Sequence, residues 1–189
     1  MSKAALRVSF RHRVCATIPY HFPPPMTEYP LGLARKFAEA AQLVAAQGLI
    51  DIDERRVVAY NSRISMELSL KSFLERAGMP VSTIVGLQHR LRDMLREVDK
   101  CSVQAKIGDS NHAVAASRLR AVTVTVHGQQ ITAGHVLEAE EHGASRYPVE
   151  LRYGAPPRDF PAETLVAAAG AIVEWVDAHA DGARWPTSP

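Results

Sequence analysis

The stretch Tyr60 to Gly78, YNSRISMELSLKSFLERAG, constrains the fold more than any other part of the chain, because it reads as one long amphipathic helix with a buried stripe. Ile64, Leu68 and Lys71 with Phe73 or Leu74 recur at three- and four-residue steps, which sets them on one face of a helix of period 3.6. Glu67 and Lys71 stand four apart with the acid first, the favourable order for a pair on an exposed helix face, where it contributes a few tenths of a kcal/mol. The pair reads either as a device that orients helices or as an ion pair lining a cavity. Gly78-Met79-Pro80 ends the segment, with a glycine suited to a C-terminal cap and a proline that cannot continue a helix.

At 189 residues the chain is long enough to bury one core without disulfides or metal. Its 47% hydrophobic and 22% charged residues are those of an ordinary globular protein, so arguments from packed helix faces apply. No apolar run approaches the roughly 20 residues of a spanning helix, and Arg7, Arg11 and Arg13 interrupt any leader-like apolar core. The expectation is a cytoplasmic protein away from the membrane, with Cys15 and Cys101 as reduced thiols. The net charge of +2 conceals an asymmetry: residues 1–30 carry +3, with Glu28 as their one acid, whereas residues 136–189 carry −5 from four arginines and nine acids. A nucleic-acid surface therefore belongs to the N-terminal arm or the middle of the chain, if the segregation is more than a solvated surface.

Residues 1–27 end in His21-Phe22-Pro23-Pro24-Pro25 and read as an extended arm, in which Arg7 to Ile18 can form an edge strand. From Leu31 the residues Leu33, Phe37, Ala40, Ala41 and Val44 recur at helical spacing, and Gly48 closes a first helix whose alanines let a neighbour approach closely. Asp51-Ile52-Asp53-Glu54 puts carboxylates at the positive end of the next helix. Leu87, Leu91, Met94, Leu95 and Val98 form a third apolar stripe. Arg90, Arg92, Arg96 and Lys100 flank it as candidate nucleic-acid contacts, and Asp93, Glu97 and Asp99 alternatively make them a salt-bridged outer face.

Residues 102–131 break the helical rhythm. Gly108-Asp109-Ser110-Asn111 is turn chemistry, and Val122 to Val126 alternates apolar and polar residues before His127-Gly128 turns the chain, which predicts one small β-hairpin inserted between helices. A fourth helix starts near Thr132 and Arg146-Tyr147-Pro148 ends it. A last helix from Pro161 presents Leu165, Ala168, Ala169, Ile172, Trp175 and Val176. Asp181 to Pro189, with an exposed Trp185, reads as a disordered tail. The fold class is mainly α, an up-and-down bundle of about five helices with a β-hairpin insertion and an extended N-terminal arm.

Three short segments, Ile64-Ser65-Met66-Glu67-Leu68-Ser69-Leu70-Lys71, then His89-Arg90-Leu91, then Arg146-Tyr147-Pro148, resemble the apolar-Glu-Leu-x-Leu-Lys helix, the His-x-Leu opening of the next helix and the late segment of the HEPN family of helical-bundle domains. The resemblance covers residues 28–180 and implies a homodimer in a defence or toxin–antitoxin setting. Many members of that family are metal-independent ribonucleases whose Arg is followed four to six residues on by a His. The chemistry suits the residues, since His moves a proton near neutral pH and Arg stabilises charge developing on phosphate. Here the late helices hold no such pair. Arg120 and His127 bracket the predicted strand with six residues between them and are the candidate catalytic pair.

The eight His include no pair four apart and the cysteines form no Cys-x-x-Cys, so neither a metal site nor a cofactor is expected. Ser65 and Ser69, a turn apart near Lys71, read as spacers that admit a neighbouring helix in preference to a nucleophile. The expected function is a non-catalytic HEPN-like module that binds RNA, another nucleic acid, a nucleotide or a partner protein. The alternatives are a ribonuclease using Arg120 and His127, and a structural subunit of a larger assembly.

Overall fold

The long helix at the centre of the chain is fixed by its two ends. The computed structural model describes residues 27–49, 51–107, 110–142, 147–153 and 160–186, so the expected N-terminal arm, Thr27 apart, lies outside the described residues. Helix α2 runs Ile52–Arg76, eight residues further upstream than Tyr60. Asp51 caps it, accepting hydrogen bonds at 2.8 Å from the Asp53 and Glu54 amides, while Glu54 reaches back to the Asp51 amide at 3.2 Å. This reciprocal box satisfies amides that a helix start leaves without partners. At the other end Gly78 takes φ 95°, and the amides of Met79 and Gly78 close onto the carbonyls of Leu74 and Glu75. Only glycine takes that backbone without strain, and the pattern is the Schellman stop that the sequence spells.

Helix α1 (Leu31–Ala46) and helix α7 (Ala162–His179) pack on α2 and on each other. The short helix α3 (Val81–Gly86) and helix α4 (Leu91–Asp99) follow α2 in the chain, and α4 packs on it. Small residues at the contacts, Ala34, Ala38 and Ala41 on α1 with Ala168 and Ala169 on α7, let the axes approach. The buried set on α2 corrects the expected stripe. Met66, Leu70, Phe73 and Leu74 are fully buried, whereas Ile64 and Leu68 are only half-buried. Ser62, Arg63, Ser65, Glu67, Ser69, Lys71 and Ser72 are buried too, so this half of the helix is enclosed nearly all round. The serines are spacers, as their size implies, and Ser69 Oγ donates to the Ser65 carbonyl at 2.8 Å.

The mainly helical reading stands, with 67% of the described residues helical. The five-helix, single-hairpin arrangement does not: among the described residues there are seven α-helices and two small two-stranded antiparallel sheets. The third stripe is broken at 87–90, where Gln88 takes φ 54°, which separates α3 from α4. Strands β1 (Ser102–Ile107) and β2 (Ser110–Ala115) form a first hairpin in which Val103 faces Val114. It escaped the alternation test because Ser110 to Ala113 are all exposed, so backbone bonds hold the ribbon with little apolar patterning. The expected hairpin is present as β3 (Thr123–Val126) and β4 (Gln129–Thr132), with His127 and Gly128 at the turn. Helix α5 (Ala133–Glu138) follows, and its Gly134 sits where a Cβ would come within 3.1 Å of the Arg120 carbonyl. Helix α6 (Val149–Tyr153) is one turn long.

The expected disordered tail gives way, over Asp181 to Pro186, to a docked segment. Arg184 pairs with Ser102 in both directions at 2.8 and 3.0 Å, the Trp185 amide donates to the Ala77 carbonyl at 2.7 Å, and the Trp185 ring packs on the core. A local composition of Gly, Ala and Pro gives no sign of these long-range partners. Among the described residues no helix is long and apolar enough to cross a membrane.

Cys101 is buried where α4 meets β1, and burial, reinforced by Glu97 and Asp99, pushes its thiol up to about 12. At pH 8 about one molecule in ten thousand then carries the reactive thiolate. Iodoacetamide at pH 8 should leave the Cys101 peptide unlabelled in the native protein and label it fully in denaturant, as mass spectrometry would show.

Candidate functional site

Helix geometry puts Tyr60, Ile64, Glu67, Leu68 and Lys71 along one side of α2, since steps of three and four residues stay on one face. Two other stretches meet that side. The turn 87–90 brings in His89, and the segment entering α6 brings in Tyr147, Pro148 and Arg152, which together with Tyr60, Ile64, Glu67 and Leu68 line a cleft of about 230 Å³. Glu67, His89 and Tyr147, from three stretches far apart in the chain, thus meet in one place.

At its floor is Glu67, 5% exposed. Lys71 Nζ contacts its Oε1 at 2.7 Å, His89 Nδ1 lies 3.0 and 3.1 Å from its two oxygens, and the Tyr147 hydroxyl donates to it. A carboxylate only accepts, so the contact puts a proton on Nδ1 and turns Nε2 away from Glu67. The His89 ring meets Tyr147 edge-on at 6.1 Å. Burial, and next the Glu67 charge, push the Tyr147 phenol far above its ordinary range, so this hydroxyl stays protonated. Lys71 also lies 5.3 Å from the centre of the Tyr29 ring, whose phenol is raised first by burial and then by Glu28, Glu75 and Glu67.

A second groove of about 580 Å³ adjoins the cleft, and Tyr60 and Arg152 line both. Its walls include Val57, Asn61, Leu151 and Tyr153, and Tyr153 is 79% exposed. The Arg152 guanidinium lies 5.6 Å over the Tyr60 ring and donates to the Tyr60 hydroxyl at 2.6 Å. Hydrogen bonds to Tyr60 and also to Tyr153 raise its pKa. Among the described residues Arg152 forms no ion pair with a carboxylate.

The basic residues singled out on and beside α4 are in the opposite situation. Arg90 pairs with Asp93 at 3.1 Å, Arg92 with Glu141 at 2.9 Å, Arg96 more loosely with Asp93 and Glu141, and Lys100 with Glu97 at 2.6 Å. This is the salt-bridged outer face. Arg120 is held between two acids: Nε and Nη2 reach Asp99 at 2.8 and 2.7 Å, and Nη1 reaches Glu138. Its bond to Asp99 is the largest cause of a raised pKa, and two carboxylates leave it little positive field to offer a phosphate. His127 sits exposed at the β3–β4 turn with φ 50°. No hydrogen bond or ion pair joins Arg120 to His127 among the described residues. No group of three metal-ligating side chains gathers among them either.

No family model, no curated protein and no solved structure matches the chain. Reading by spacing found Glu67 and Lys71 and named His89 and Tyr147 only as motif letters, while Tyr60 and Arg152 were missed. The available signal was that each segment contributes one group able to share a proton: a carboxylate, an imidazole and a phenol.

Lys71→Ala leaves Glu67 enclosed without its cation and should cost roughly 3–5 kcal/mol, measured by urea unfolding. The apolar pair Glu67→Met with Lys71→Leu should recover most of that loss, because no uncompensated charge remains.

Proposed function

We propose that the chain is a HEPN-like helical module that takes single-stranded RNA, or a single nucleotide of it, into the paired grooves on α2 and α6. The observation that carries this reading is Arg152: a guanidinium at the junction of the two grooves, bonded to phenol oxygens, over one aromatic face and beside another. Such a cation gains an anionic partner when a phosphate arrives, and the exposed Tyr153 ring offers a base a surface to stack on, a contact worth about 1–3 kcal/mol in single-strand binders. The homodimer and the defence setting belong to the same proposal through the resemblance alone.

A second reading is favoured by His89. An imidazole whose Nδ1–H is held by a buried carboxylate has its Nε2 directed elsewhere, the arrangement of a positioned general base. If the module cleaves RNA without metal, His89 with Arg152 has the better geometry, since Arg120 is committed to Asp99 and Glu138.

Fluorescence anisotropy with a labelled single-stranded RNA of about 12 nucleotides tests the first reading. Arg152→Ala and Tyr153→Ala should each weaken binding at least tenfold, whereas Arg92→Ala and Arg96→Ala should leave it within twofold; equal losses in all four would discard the groove. The same RNA, run on a gel after incubation in chelator, reads out the second. Cleavage lost in His89→Ala and kept in His127→Ala supports it, and an uncut RNA leaves binding alone.

A further inference from the structure

The larger groove holds one polar side chain whose hydrogen-bonding capacity is unspent. Val57 of α2 and Leu151 of α6 give the groove apolar walls, and its volume of about 580 Å³ is that of a pocket for a small ligand. Two of its charged groups answer each other, since Asp53 and Arg56 pair at 2.8 Å. Arg152 donates to the Tyr60 hydroxyl at 2.6 Å. Asn61 lines the same groove, is half-buried, and makes no side-chain hydrogen bond among the described residues.

Helical spacing explains the position. Asp53, Val57 and Asn61 follow one another at four-residue steps, so they share one face of α2, and α6 packs on that helix. Arg152 and Tyr153 belong to α6. A nucleotide lodged between the two helices therefore meets a cation and an exposed ring from one of them and a carboxamide from the other.

A carboxamide offers an acceptor and a donor side by side, and it selects edges that offer the complement. Adenine does so twice, with N6–H beside N7 on one edge and N6–H beside N1 on the other, and its pairing with Asn is a recurrent one. Guanine sets two acceptors, N7 and O6, on the first edge. Cytosine and uracil lack that edge and bring a smaller ring to Tyr153. A base that fails to match leaves the amide enclosed without partners, and this penalty is what makes a hydrogen-bonding site discriminate.

We propose that Asn61 is the base-selecting residue of the groove and that the nucleotide it selects is an adenosine, with the phosphate at Arg152 and the base on Tyr153. The proposal rests on nucleotide binding in the Arg152 groove and adds a sequence preference to it.

The test is displacement of a labelled single-stranded RNA of about 12 nucleotides from the full-length protein by the nucleoside monophosphates of adenine, guanine, cytosine and uracil, read by fluorescence anisotropy. Wild type should release the RNA to the adenine nucleotide at a concentration at least about fivefold lower than to the other three. Asn61→Ala, an exchange that favours the helix, should still bind RNA and lose the preference. Asn61→Asp, whose carboxylate only accepts, should turn the preference to guanine, whose N1–H and N2–H donate side by side. A structural role for Asn61 would not exchange one base for another. Equal displacement by all four nucleotides or by none in wild type, a preference for another base, or an adenine preference that persists in Asn61→Ala overturns the proposal. If Arg152→Ala then still loses RNA, the groove reading survives without base selection. RNA binding untouched by Arg152→Ala removes the groove and the selection with it, and wild type that binds no RNA overturns both.

Discussion

A carboxylate enclosed in protein has to be answered, and the answer to Glu67 organises this side of the molecule. Its three partners come from different stretches: Lys71 from its own helix, His89 from the turn between α3 and α4, and Tyr147 from the approach to α6. Taking two charges out of water costs several kcal/mol each, so the network is a poor source of net stability. Its effect is on geometry. Few arrangements of three segments satisfy one buried carboxylate, so His89 and Tyr147 are held on the cleft wall, and Arg152 follows from the helical turn that Tyr147 and Pro148 introduce.

The mainly helical fold was legible because its strongest signals are local. The capping acids at Asp51 to Glu54 and the Gly78-Met79-Pro80 stop act within a turn of their own positions, and the structure uses them as read. Periodicity failed where enclosure is not one-sided. A helix packed by α1, α4 and α7 has no polar face to define a stripe, and its serines are as buried as its leucines. The half-buried Ile64 and Leu68 face the cleft, which is why an apolar spacing pointed to the wrong side. The β1–β2 ribbon and the docked Trp185 were illegible for a related reason: backbone partners far away in sequence hold them, and side-chain pattern does not report such bonds.

Less of the site could be read. An i, i+4 Glu–Lys pair is an ordinary surface feature, and nothing in its spacing tells a pair exposed to water from one at 5% and 7% exposure. The difference is large, since the first contributes tenths of a kcal/mol and the second leaves a buried charge if either partner is lost. Arg120 and His127 were chosen by an interval that fits many pairs in a chain with eight His, and spacing cannot foresee that Asp99 and Glu138 converge on the arginine.

The contrast between two sets of cations gives the groove its electrostatic meaning. Exposed ion pairs such as those of Arg90, Arg92, Arg96 and Lys100 contribute little to stability, but they make a face nearly neutral at the distances over which charge acts in salt. A phosphate approaching that face must displace a carboxylate already in place, trading one anion for another. Arg152 is bonded to phenol oxygens and to no carboxylate among the described residues, although Asp53 lines one of its grooves and Glu67 the other. Counting basic residues along a sequence points to α4, where each cation already meets an acid, whereas Arg152, like Arg55, Arg118 and Arg184, meets none among the described residues; what sets Arg152 apart is its place between two grooves.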